Sequence, residues 1–224
     1  MFTGKLFDED IIGSVSTIGD SDSGVIDIKV EGRVAVNSLY EWTGQPLLTR
    51  GLGKMQYQSI LHIPYGERGA QAISIDALSD LHGVGINMPS PIGKTASEKK
   101  SLEYTQIFLD SVSRIEIKLG DELSAELQIM DEVLTGGRIH LGENLMGAVT
   151  FDNLKVTGAI NDVNFEEWDN MIVDLQTLSD VSLEGELAET LDAIQVDVGK
   201  LDVYGFELED VSTRITRTKT AWKV

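Results

Sequence analysis

The feature that most constrains this fold is a strict alternation of apolar and charged residues. In the stretch VIDIKVEGRVAV, Ile26, Ile28, Val30, Val34 and Val36 share one phase, while Asp27, Lys29, Glu31 and Arg33 share the other. A period of two belongs to a β-strand, whose successive side chains point to opposite faces. The stretch SRIEIKLGDELSAELQI carries the same pattern through a hairpin. Ile115, Ile117 and Leu119 alternate with Arg114, Glu116 and Lys118; Gly120 and Asp121 turn the chain; Leu123, Ala125, Leu127 and Ile129 return. Further strands are expected near 54–63, 71–77, 82–88, 102–108, 138–142, 147–151, 154–160, 192–198, 200–204, 206–211 and 212–218, with breaks such as Gly136-Gly137 between them. One polar and one apolar face per strand predict antiparallel sheets, wet on one side.

Helical signal is sparse. NFEEWDNMIVDLQTL places Phe165, Trp168, Met171, Ile172 and Leu175 on one face, with Asn164 as N-cap and Glu167 three residues later. A shorter helix is expected over Ser38 to Trp42, and 184–191 reads as a short helix or the end of a loop. The two helices expose an internal repeat, VEGRVAVNSLYEW (30–42) and VTGAINDVNFEEW (156–168), offset by 126 residues at both ends. Each copy reads as a strand that leaves the sheet and rolls into a helix whose Trp folds back over apolar surface.

The totals exclude several kinds of chemistry. A net charge of −19 over 224 residues argues against nucleic acid, which needs clustered Lys and Arg, and against charge-driven docking on anionic lipid. The absence of cysteine excludes disulfides and thiolate chemistry. No apolar run is long enough to span a bilayer as a helix. The stretch PSPIGKTASEKK (89–100) contains Gly93, Lys94 and Thr95, the tail of a phosphate-binding loop, but Met88 stands where that loop needs its first Gly. Pro89 and Pro91 also remove two N–H donors from any phosphate cradle. DSDSG (20–24) imitates half a calcium loop with its Gly one place early, and reads as a solvated turn. His62, His82 and His140 are isolated, so no metal site, cofactor or catalytic group is expected. The chain reads as a non-enzyme.

The segment LHGVGINMPSPIGKTASEKKSLEY (81–104) resembles a characteristic stretch of YhdP-type proteins, within the AsmA-like family of Gram-negative bacteria. The residues that carry the likeness are Leu81, Gly83, Val84, Ile86, Pro89, Pro91, Gly93, Lys94 and Glu98. GGRIHLGEN (136–144), LKVTGAINDVNFEEW (154–168) and KLDVYGFELEDVSTRI (200–215) are similar to further pieces of that family, in the same order. The resemblance implies an elongated, curved and twisted antiparallel sheet of half-barrel or β-taco shape, with one or two short helices packed on its apolar face. It further implies one extended groove domain over 1–224 that is part of a longer, membrane-anchored chain whose anchor is absent here.

The function implied is carriage of phospholipid between inner and outer membranes through the periplasm. On that reading Ile26, Ile28, Val30, Ile115, Ile117, Leu119, Leu123, Leu127 and Ile129 line a groove for acyl chains, and Lys94 at the sheet rim meets a lipid headgroup. The implied partners are phospholipid acyl chains and other segments of the same long chain. An envelope scaffold that binds another protein by strand addition, with no lipid, is the alternative. Trp42 and Trp168 are expected to anchor the core.

Overall fold

The computed structural model describes residues 1–66, 71–143, 149–178, 190–217, 222 and 223. The chain is mainly β, as the alternation dictates. Its strands are β1 (Phe2–Leu6), β2 (Glu9–Gly19), β3 (Ser23–Ala35), β4 (Gly51–Gly66), β5 (Ile73–Ser79), β6 (Val84–Ile86), β7 (Leu102–Leu109), β8 (Val112–Leu119), β9 (Leu123–Met130), β10 (Val133–Leu141), β11 (Leu154–Asn164), β12 (Leu191–Val203), β13 (Phe206–Arg217) and β14 (Trp222–Lys223). Two helices, α1 (Val36–Thr43) and α2 (Phe165–Leu178), and a 3-10 turn at Pro46–Arg50 complete the described elements. The strands lie side by side in chain order in one sheet, except that β6 pairs back onto the start of β4.

Both strand-to-helix units form: β3 runs into α1 and β11 into α2. The Asn164 side chain accepts the Glu167 backbone N–H at 3.0 Å, the N-cap expected for α2. At its other end α1 stops at Gly44, whose left-handed backbone (φ 67°) lets its N–H donate to the Tyr40 carbonyl.

The sheet is mixed rather than wholly antiparallel, because β10–β11 and β11–β12 pair in parallel. Alternation fixes which face a side chain takes but not strand direction, and between β11 and β12 α2 supplies the long crossover a parallel partner requires. Two expected pairs of strands are single ones. Gly199 does not end β12, and the 206–211 and 212–218 segments run together as β13, kinked at Asp210 (φ 51°). Residues 149–151 form no strand, and most of the 184–191 segment lies outside the described residues.

A plug made of α1 and the 80–101 connection, which carries the short β6, holds the core at one lip of the sheet, where β3, β5 and β8 end and β4, β7 and β9 begin. Val34, Met55 and Leu119 from the sheet meet Val36 of α1 and Leu81, Val84 and Ile92 of the 80–101 connection. Leu39, Leu48, Tyr57, Met88, Leu102 and Trp168 pack around them. The plug also reveals the curvature. From β4 to β11 is six strand steps, roughly 29 Å along a flat sheet. Yet Trp168, one turn into α2, donates its indole N–H to the Ser90 carbonyl at 3.2 Å, and Asp174 of α2 pairs with Arg50 at 3.3 Å. The sheet therefore curls toward its plugged face without closing into a barrel.

Candidate functional site

Register carries the sequence pattern into three dimensions. Residues directly opposite on paired strands share a face. Ile28 faces Leu61, Leu61 faces Ile75, Ile75 faces Gln106, Gln106 faces Ile115, and Ile115 faces Leu127. That single row puts β3, β8 and β9 in phase. Ile26, Ile28, Val30, Ile115, Ile117, Leu119, Leu123, Leu127 and Ile129 all lie on one face, the one toward which the sheet curls. Ile63, Ile73, Tyr104, Phe108, Ile139, Leu154, Val156, Ile194, Val196 and Val198 extend it. The result is an apolar trough that crosses the sheet.

Of the nine residues named from sequence, only Leu119 is buried, because the plug sits on it; the other eight remain half-buried. In-plane neighbours shield a strand residue partly, and only a second layer shields it fully. Away from the plug the trough is covered again at its β11–β12 end, where Leu154, Val196 and Val198 are buried. Val15 of β2, opposite Ile28 and so on the same face, is 57% exposed.

The outer face is polar and tied across strands. His62 lies between Asp27 (Nδ1–Oδ1 2.7 Å) and Asp76 (Nε2–Oδ2 3.0 Å), and Thr105 donates to Asp76 at 2.6 Å. These bonds link β3, β4, β5 and β7. His140 bonds Thr157 and the Glu143 carbonyl. The DSDSG segment is the solvated β2–β3 turn expected, Asp20 Oδ1 accepting the N–H groups of Asp22 and Ser23. Among the described residues no group of three His, Asp or Glu side chains is placed to hold a metal ion.

The 80–101 connection differs most from its sequence reading. Residues 89–100 read as a loop at the sheet rim that offers lysine to solvent; instead they fold inward as part of the plug, with Ile92 only 5% exposed, beside the short β6 that forms within the expected 82–88 strand. Lys94 Nζ donates to the carbonyls of Leu81 (2.9 Å), Thr95 (3.0 Å) and Val84. All three ammonium hydrogens are thereby taken, so this lysine ties the loop. Lys100 likewise reaches the Pro91 carbonyl (2.8 Å) and Glu122 (3.1 Å), and Lys99 pairs with Asp80 at 2.7 Å. Burial pushes the Lys94 ammonium below the ordinary lysine range, with the Glu98 carboxylate pulling the other way. Gly93 is required by close approach: a Cβ there would overlap the Met88 carbonyl. Of the tryptophans, Trp168 anchors the plug as expected. Trp42 does not: it is 73% exposed and stacks edge-on against Phe7 at 5.6 Å.

Fold and site together define an open β-trough protein, apolar inside, polar outside and plugged at one lip. The chain belongs to the YhdP family: the family model described as YhdP protein matches residues 2–224, as the order of motifs leads one to expect. No curated protein and no solved structure matches it. Among the described residues no helix is long and apolar enough to cross a membrane.

Proposed function

We propose that this chain is a non-enzymatic lipid-carrying segment of the bacterial envelope, which shields phospholipid acyl chains in its trough as they pass through the periplasm between inner and outer membranes. One observation carries the reading: a largely apolar face, carried by register from β2 to β12, stays half open on the inside of a curved sheet except at the plug and around Leu154, Val196 and Val198. The ten strands from β2 to β12 along the sheet, at about 4.8 Å spacing, give a path of roughly 43 Å along the curve, longer than an ordinary acyl chain. Each methylene laid on such a surface contributes about 0.8 kcal/mol, so a chain is held by many small terms and can slide without breaking a strong one. Membership of the YhdP family supports an envelope role. The test is organic extraction of the purified chain followed by lipid analysis, with native mass spectrometry of the intact complex. Phospholipid should co-purify, and repeated failure to recover any would defeat the reading.

A scaffold that binds protein by strand addition is the second reading, and one observation favours it. β1 covers β2 only over Glu9–Gly13, so the outer edge of 14–19 has no partner among the described residues. Its sequence SVSTIG carries none of the charges or prolines that usually guard an edge. Pull-down of an envelope protein that is lost on Val15→Lys or Thr17→Pro, with no lipid ever recovered, would favour this second reading.

A further inference from the structure

Three polar side chains interrupt the apolar trough at one place. Gln106 stands in the row between Ile75 and Ile115, Tyr104 lies two residues before it, and Ser113 is opposite Phe108 and Ile129. The Tyr104 hydroxyl donates to Gln106 Oε1 at 2.8 Å, and Gln106 Nε2 donates to Ser113 Oγ at 3.4 Å. Both bonds run the same way. Ser113 is an acceptor within this ladder, and its own O–H is left to donate to a further group. Burial raises the Tyr104 hydroxyl above its ordinary range, so the first donor in the series stays protonated at neutral pH.

The ladder ends at a recess of about 690 Å³ on the unplugged lip, walled by Ile129 and rimmed by Asp110, Asp131 and Glu132. A molecule that satisfies this place needs an apolar chain for the trough and an oxygen acceptor at its end. That acceptor must be uncharged, because an anion would face three carboxylates across the recess. An ester carbonyl meets both conditions, and the carboxylate of a free fatty acid fails the second.

We propose that Tyr104, Gln106 and Ser113 form a hydrogen-bonding station for the ester carbonyl of an acyl glycerolipid. The station rests on the lipid-carrying reading and adds to it a fixed place where a sliding lipid pauses. The full chain is equilibrated in parallel with vesicles of a diacyl phosphatidylethanolamine, vesicles of its dialkyl ether analogue of equal chain length, and the matching free fatty acid. Bound molecules are counted by native mass spectrometry. The ester lipid should be retained over the ether lipid by roughly five-fold, the worth of one hydrogen bond, with the fatty acid retained least. Ser113→Ala should bring ester retention down to the ether level, and Tyr104→Phe should lower it part of the way. Equal retention of ester and ether lipid by the unmodified chain overturns the station and leaves the lipid-carrying reading standing, as does an ester preference that survives Ser113→Ala. Recovery of neither lipid defeats the lipid-carrying reading and the station with it.

Discussion

Replacing Lys94 with methionine separates two roles that the sequence leaves entangled. The stem keeps its length, and only the three donors are lost. Lys94 Nζ gives its hydrogens to the carbonyls of Leu81, Val84 and Thr95, which tie the start of the 80–101 connection to its later part. A net hydrogen bond is worth about 1 kcal/mol, so three give about 3 kcal/mol. Relief of the desolvated ammonium and access of water to the exposed Thr95 side return part of this, leaving about 2 kcal/mol. Urea unfolding followed by Trp fluorescence should show the midpoint falling by roughly 0.7–1 M at an unchanged slope. Lipid retained per folded molecule should not change. The pH dependence has a definite sign. The folded-state value lies below the usual 10.5, so the charge costs stability below the folded value and the cost fades as pH rises toward 10.5. The deficit of the methionine variant should therefore widen on the alkaline side of that window. An unchanged midpoint together with a fall in lipid retention would refute the argument and return Lys94 to the role of a free cation.

Other expectations follow from the same contacts. Gly53→Ala places a Cβ against the Gly83 carbonyl at a backbone φ of 121°, and should destabilise the plug by at least about 2 kcal/mol, read as a lowered Tm. His62→Leu leaves Asp27, only 7% exposed, without its partner, and should cost about 2–3 kcal/mol in urea unfolding. Asp27→Asn in the same chain should recover much of that, and purely additive losses would show the pair is uncoupled. Glu98 is held below the ordinary carboxylate range, first by the Thr95 N–H and then by the Thr95 hydroxyl. Its contribution is present above about pH 4.5 and is lost as pH falls through the lowered folded value, so Glu98→Gln should flatten that part of the acid-unfolding curve.

Much of this molecule is written in the phase of its strands. Ile26, Ile28 and Val30 lie far in sequence from Ile115, Ile117 and Leu119, yet register puts all six on one face, because alternation is a local property that pairing preserves. Strand direction is not local, and nothing in LKVTGAINDVN distinguishes a parallel neighbour from an antiparallel one. The kink opposite Gly199 was legible only as a break, since a glycine that ends a strand and one that bends it look alike in sequence. Inward folding of the 80–101 connection left a fainter mark: Leu81 and Ile92 are apolar residues that no expected strand accounts for. Lys94 was misleading because a lysine's chemistry fits a rim or an interior tie equally well, and only the carbonyls around it decide. The polar station had a usable signal. In LEYTQIFL, Gln106 occupies the phase held by Leu102, Tyr104 and Phe108, the one amide where the pattern calls for an apolar residue.

The central claim, that acyl chains run over one face of the sheet and not the other, is tested most directly by site-specific photocrosslinking along β8 and β9 in cells. A photoreactive residue is placed in turn at Arg114, Ile115, Glu116, Ile117 and Lys118, and again at Glu126, Leu127 and Gln128. Lipid adducts should appear at Ile115, Ile117 and Leu127 and be absent at the residues between them, a period of two matching the pleat. Adducts at every position alike, or at none, would contradict the account.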